Sequence, residues 1–141
     1  MRAPSVLAAV TAVTIAMLAA APPATGHHSF AAQFDADRPV TLEGTVTKVE
    51  WQNPHIWVYL DVAGPDGQTA AWECEGDNPN NLTRRGWTKD SVEVGKPITI
   101  YGFQARNGRT VCNGRTWVFG GRTVYAAAAD GGPAAGPPQR R

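Results

Sequence analysis

Residues 55–62 read HIWVYLDV, and the period of that run constrains the fold more than any other feature of the chain. Ile56, Val58, Leu60 and Val62 fall on one side of an extended backbone, with Trp57 and Tyr59 on the other. A repeat of two belongs to a strand with one buried face. The same rhythm runs through VTLEGTVTKV, where Val40, Leu42 and Val46 oppose Thr41, Glu43, Thr45 and Thr47. It returns in TAAWECE, where Trp72 and Cys74 oppose Glu73 and Glu75. GPDG at 64–67 punctuates the second and third runs, because proline presets one turn dihedral and glycine permits positive φ.

The rhythm breaks at DNPNNLTRRGW. Capping residues, Pro79 near a first-turn position and Gly86 as a stop predict one short helix there. PITIYGFQA then reads as a fourth strand, RNG as a hairpin turn, and Thr110 to Tyr125 as strand material kinked or split near Gly114 and Gly120–Gly121. The expected fold is all-β with one short helix. Three strands, a helix and two strands, in that order, fit a small five-stranded OB-like Greek-key barrel over residues 40–125. An open, sandwich-like sheet of the same strands is the rival.

Outside that unit the chain changes character. Arg2 precedes an uncharged, largely apolar stretch from Val6 to Ala21, followed by Pro22, Pro23 and small residues. This is the layout of a secretory signal peptide over 1–26, shorter than the roughly 20 apolar residues of a membrane span. Cleavage after Gly26 makes His27 the first residue, leaves an N-terminal histidine arm over 27–39, and predicts a periplasmic or secreted protein without a stable membrane span. Residues 126–141, AAAADGGPAAGPPQRR, offer nothing large to bury and read as a disordered tail.

Charge excludes two partner classes. The full chain carries 13 basic and 12 acidic residues, and loss of Arg2 with the leader makes the remainder formally neutral. Such a chain has neither the basic footprint of a nucleic-acid binder nor a polybasic membrane-surface segment. Its two cysteines, Cys74 and Cys112, fit a disulfide in an exporting compartment, which closes a long loop and contributes roughly 4 kcal/mol. A reactive or metal-binding thiol pair is the alternative, although the spacing matches no short zinc motif.

The stretch from HHSFAAQFDADRPV to WQNPHIWVYLDV, followed by LTRRGWTKDSVEVG, resembles a family of exported bacterial proteins of unknown function. Their mature chains begin HHSF and carry W-x-N-P-H and L-x-R-x-G-W motifs. Here these are His27 to Phe30, Trp51 to His55 and Leu82 to Trp87. The resemblance covers about His27 to Gly102, and TVCNGRTWVFGG is not part of the pattern. It implies export and a small β domain, and supplies no activity.

Histidine chemistry gives the sharpest functional expectation. A terminal His27 offers its α-amine, with a pKa of about 7.7–8.0, and its imidazole. A further imidazole from His55, or less easily His28, completes a three-nitrogen set, and tetragonal nitrogen sites favour copper(II). The arrangement resembles, in ligand geometry only, the histidine brace of some exported copper proteins. The structural alternative makes these histidines polar anchors, with Phe30 and Phe34 plugging one barrel end and His55 capping a turn.

Trp57 and Tyr59, opposite the aliphatic face of their strand, are the candidates for an exposed binding surface. They support the runner-up function, a metal-free module that recognises a small molecule, a glycan or another exported protein. Trp72 and Trp87 are assigned to the core, Glu73 and Glu75 to a solvated face, Asp35 and Asp37 to a turn, and Arg84 and Arg85 to a solvated pair. There is no Ser-His-Asp pattern, phosphate loop or convincing acid pair, so the expectation is a binding module rather than an enzyme.

Overall fold

The computed structural model describes residues 29–138. The leader and the His27–His28 pair lie outside the described residues. A single helical turn, α1 (Phe30–Gln33), leads into β1 (Phe34–Glu50), β2 (Trp57–Ala63) and β3 (Thr69–Glu75). Helix α2 (Pro79–Arg84) follows, then β4 (Pro97–Ala105), β5 (Val111–Phe119) and a short β6 (Arg122–Tyr125).

The strands hydrogen-bond in the order β3-β2-β1-β4-β5-β6, and a further β3–β5 pairing closes five of them into a ring. All pairs are antiparallel except β3–β5, which is parallel and spans only Glu73↔Val111, Cys74↔Cys112 and Glu75↔Asn113. This is the expected OB-like arrangement, but irregular. Register shifts interrupt β1 twice and the β4–β5 pair once, and β6 adds a flap outside the ring. The Cys74–Cys112 disulfide lies on the closing seam, so the covalent link and the shortest ladder coincide.

Alternation places the core as read. Leu42, Val46, Ile56, Val58, Leu60, Ile98 and Ile100 point inward with the buried cystine. Helix α2 starts as its sequence dictates. The Asn78 side chain accepts from the Asn81 N–H at 2.9 Å, proline occupies the first turn, and Gly86 ends the unit at φ 85°. Its Leu82 is fully buried and Trp87 meets Trp117 edge-on at 5.6 Å. A second cluster of Phe30, Phe34, Phe103 and Ala105 fastens the first described residues to β4.

The expected kink near Gly114 is a bulge. Tyr101 pairs with Thr116 and Gly102 with Gly114, leaving Arg115 as the extra residue. The backbones approach so closely that a Cβ on Gly102 would sit 2.2 Å from the Asn113 carbonyl oxygen. Arg115 is thereby turned into the protein, where it is 1% exposed.

Three placements differ from the sequence reading. Strand β1 begins at Phe34 rather than Val40, because Phe34 pairs with Ala105 across a bulge that absorbs the non-alternating DADR segment. The segment after Tyr125 packs where a disordered tail was expected. Ala126 and Ala127 are buried, the Ala126 N–H donates to the Arg115 carbonyl at 2.8 Å, and the Asp77 N–H donates to the Ala126 carbonyl at 2.7 Å. Alanine lacks the bulk to announce a core position, but a close backbone approach demands a small residue. Trp72, assigned to the core, is only partly buried against it.

Candidate functional site

His55 lies near the end of the β1–β2 loop, directly after the cis Asn53-Pro54 peptide. The next residue anchors it: the Ile56 N–H donates to the Asp77 carbonyl at 3.1 Å, and the Gly76 N–H donates to the Ile56 carbonyl at 3.0 Å. These bonds extend the β2–β3 pairing and bring the imidazole against Glu75, whose carboxylate Oε1 accepts from His55 Nδ1. Glu75 is therefore not on a solvated face; it is 7% exposed. Its pairing in the closing seam covers it, whereas strand alternation alone left it open.

The Glu75 carboxylate holds the His55 imidazole above its usual pKa range, mainly through that hydrogen bond. Burial opposes the shift, and the charges of Glu75, Asp77 and Asp130 add to it. The Nδ1 bond leaves Nε2 as the nitrogen available to a ligand.

Beside His55 lies a pocket of about 310 Å³, lined by His55, Asp77, Asn78, Asn81, Ala128, Ala129 and Asp130. Asp77 is buried at the head of α2. Its Oδ1 accepts from the Asn78 N–H at 2.7 Å and from the side-chain amides of Asn78 and Asn81, each at 3.1 Å. Its Oδ2 has no hydrogen bond and instead makes an ionic contact of 3.0 Å with Arg85. Arg85 also donates to the Ala127 carbonyl at 3.3 Å, so it braces the tail rather than lying free in solvent.

Asp130 ties the other wall together. Its Oδ1 accepts from Arg115 Nη2 at 2.8 Å and from the Gly132 N–H at 3.0 Å, and its Oδ2 accepts from the Asn113 amide at 3.1 Å. Its carbonyl accepts from the Phe30 N–H at 3.1 Å. The Arg115 guanidinium packs over the Phe30 ring at 4.9 Å. The first described residues are thus fastened to the rim of the His55 pocket.

Among the residues singled out from sequence, the structure describes His55 but not His27 or His28. Among the described residues, no three histidine, cysteine, aspartate or glutamate side chains converge as a metal set. Trp57 and Tyr59 are half-buried rather than exposed, and they part company. The Tyr59 hydroxyl donates to Glu50 at 3.1 Å beneath Lys48, whereas Trp57 lines a separate cleft. Asp35 Oδ1 accepts from the Asp37 N–H at 3.1 Å, but the pair lies in the bulged start of β1 rather than in a turn before it.

Sequence reasoning missed Glu75, Asp77, Arg115 and Asp130 as site residues. One signal was present: Asp130 is the only charge between Tyr125 and Arg140, in a run of alanine, glycine and proline.

No curated protein matches this chain. A family model does match, over residues 14–114, running beyond Gly102 into the bulged strand β5. The match spans most of the sequence, and the chain belongs to that family, one of unknown function (DUF6152).

Proposed function

We propose that this protein is an exported metal-binding module, and that His55 Nε2 acts with the amine and imidazole of a terminal His27 to hold copper(II), with His28 as the alternative imidazole. The observation that carries this reading is the Glu75–His55 pair at the pocket rim. A histidine that ligates a metal commonly gives its other ring nitrogen to a carboxylate, which fixes the ring and raises its basicity. A cation on Nε2 would also take over from the imidazole proton in balancing the buried Glu75 charge.

Reach supports the second half of the reading. The Phe30 N–H is bonded to the Asp130 carbonyl on the pocket wall. Three further residues span at most roughly 11 Å, so the pocket is within range of a His27 amine. Export is supported by the leader and by the disulfide.

The test is calorimetric titration with copper(II) of protein whose first residue has been verified as His27 by mass spectrometry. One equivalent is expected to bind, with affinity falling at least tenfold both in His55→Ala and in a chain extended by one residue before His27. Affinity unchanged in both variants would refute the proposal.

A further inference from the structure

A second concavity, which uses none of the residues lining the His55 pocket, has the chemistry of a different ligand. It encloses about 400 Å³, within the roughly 300–1,000 Å³ range of small-molecule sites. Phe34, Trp57, Ala105 and Val111 form its apolar surface, while Glu73, Arg106, Asn107 and Arg109 supply its polar groups. We propose that this cleft binds an anionic saccharide, a sugar ring stacked on Trp57 with its carboxylate held by the arginines of the β4–β5 turn.

The apolar surface is rigid. Phe34 and Ala105 are ladder partners buried in the second aromatic cluster, and Trp57 is paired to Glu75 within the β2–β3 ladder. A half-buried tryptophan on a fixed strand offers a flat face for the C–H side of a pyranose without losing side-chain freedom on binding.

The turn that carries the cations is held in place, and the Arg106 guanidinium is preorganised. The Arg106 N–H donates to the Gln33 carbonyl at 2.9 Å, and its Nη1 donates to the Ala31 carbonyl at 3.1 Å. The Gln104 amide bridges the carbonyls of Gly108 and Arg109, each at 3.0 Å. Arg38 adds a third guanidinium beside the turn, its Nη1 3.7 Å from where a Cβ on Gly108 would stand. Guanidinium groups match a carboxylate in paired, planar contacts.

Glu73 decides the ligand class. A carboxylate in the same cleft opposes a polyphosphate backbone, but it is a natural acceptor for sugar hydroxyls, as Asn107 is a donor and acceptor. Aromatic face, cations and a hydroxyl acceptor together select a ring that is apolar on one side, hydroxylated at its edge and singly charged.

The experiment titrates full-length processed protein with trigalacturonate or with neutral maltotriose, followed by amide chemical shifts and tryptophan fluorescence. Trigalacturonate is expected to saturate and to shift the amides of Trp57, Arg109 and Val111. It should bind at least tenfold tighter than maltotriose, lose at least fivefold in Arg109→Ala, and leave no measurable binding in a folded Trp57→Ala. Equal binding of the two sugars, or no shift at these amides with either, would overturn the proposal. Copper plays no part in this assay, so its outcome is separate from that of the His55 site.

Discussion

The His55 pocket and the Trp57 cleft are similar in size, about 310 and 400 Å³, and opposite in character. The first gathers Glu75, Asp77 and Asp130 around one imidazole, with Arg85 and Arg115 behind them. The second gathers Arg106 and Arg109 around one indole. They share a wall: Glu73 and Val111 face the cleft, Glu75 and Asn113 belong to the pocket network, and Cys74–Cys112 lies between. In the pocket, Glu75, Asp77 and Arg115 are buried, and each is matched by an opposite charge from another part of the fold. In the cleft, the two arginines ride on one exposed turn and Glu73 faces them from β3. The pocket's ion pairs are therefore part of what holds the fold together, whereas the cleft's arginines are an addition to a surface built by the core.

Cutting the shared wall should have the largest effect. Replacing Cys74 and Cys112 by serine frees a link across 38 residues and should lower stability by about 4 kcal/mol in urea unfolding. Both sites should loosen together, seen as faster amide exchange at Glu73 and Glu75 alike. Protection lost at only one of them would show that the ladder, not the disulfide, joins the two.

Next is Arg115→Ala, which leaves Asp130 buried without its cation and should cost about 3 kcal/mol. The amides from Phe30 and from Ala126 onward should shift, while Trp57 keeps its environment. Glu75→Gln should weaken copper binding by about 10–100-fold while leaving the fold in place, and it should not change saccharide binding.

A smaller effect separates the two sites by pH. In metal-free protein, Glu75 raises the folded pKa of His55 above its ordinary value of about 6.5. The pair's stabilisation is then complete below that value and is lost as pH rises through the raised one. Urea midpoints measured in chelator should fall over that window in wild type, and the slope should flatten in Glu75→Gln. The smallest change is expected for Arg109→Ala, an exposed residue whose loss should alter stability by less than about 0.5 kcal/mol. A larger loss would mean that the cleft, too, is part of the scaffold.

These contrasts explain what the sequence made legible. Strand periodicity located β2, β3 and β4 almost to the residue, and Asn78, Pro79 and Gly86 marked α2, because those signals are local. Glu75 looked solvated because alternation describes a strand's faces and is silent on what a second strand lays over them. The parallel seam to β5 supplies that cover. Arg115 resembled any surface arginine until the bulge opposite Gly102 turned it inward. The alanines after Tyr125 were invisible for a simpler reason: composition measures bulk available for burial, and here small residues are buried through backbone hydrogen bonds. His55 was conspicuous in the sequence as a lone histidine at a strand start, whereas its acidic partners were not, since their meeting is entirely tertiary.

Electron paramagnetic resonance of the copper(II)-loaded, correctly processed protein tests the central claim most directly. Nitrogen hyperfine structure from three donors is expected, falling to two in His55→Ala. A spectrum identical in wild type and His55→Ala would contradict the account.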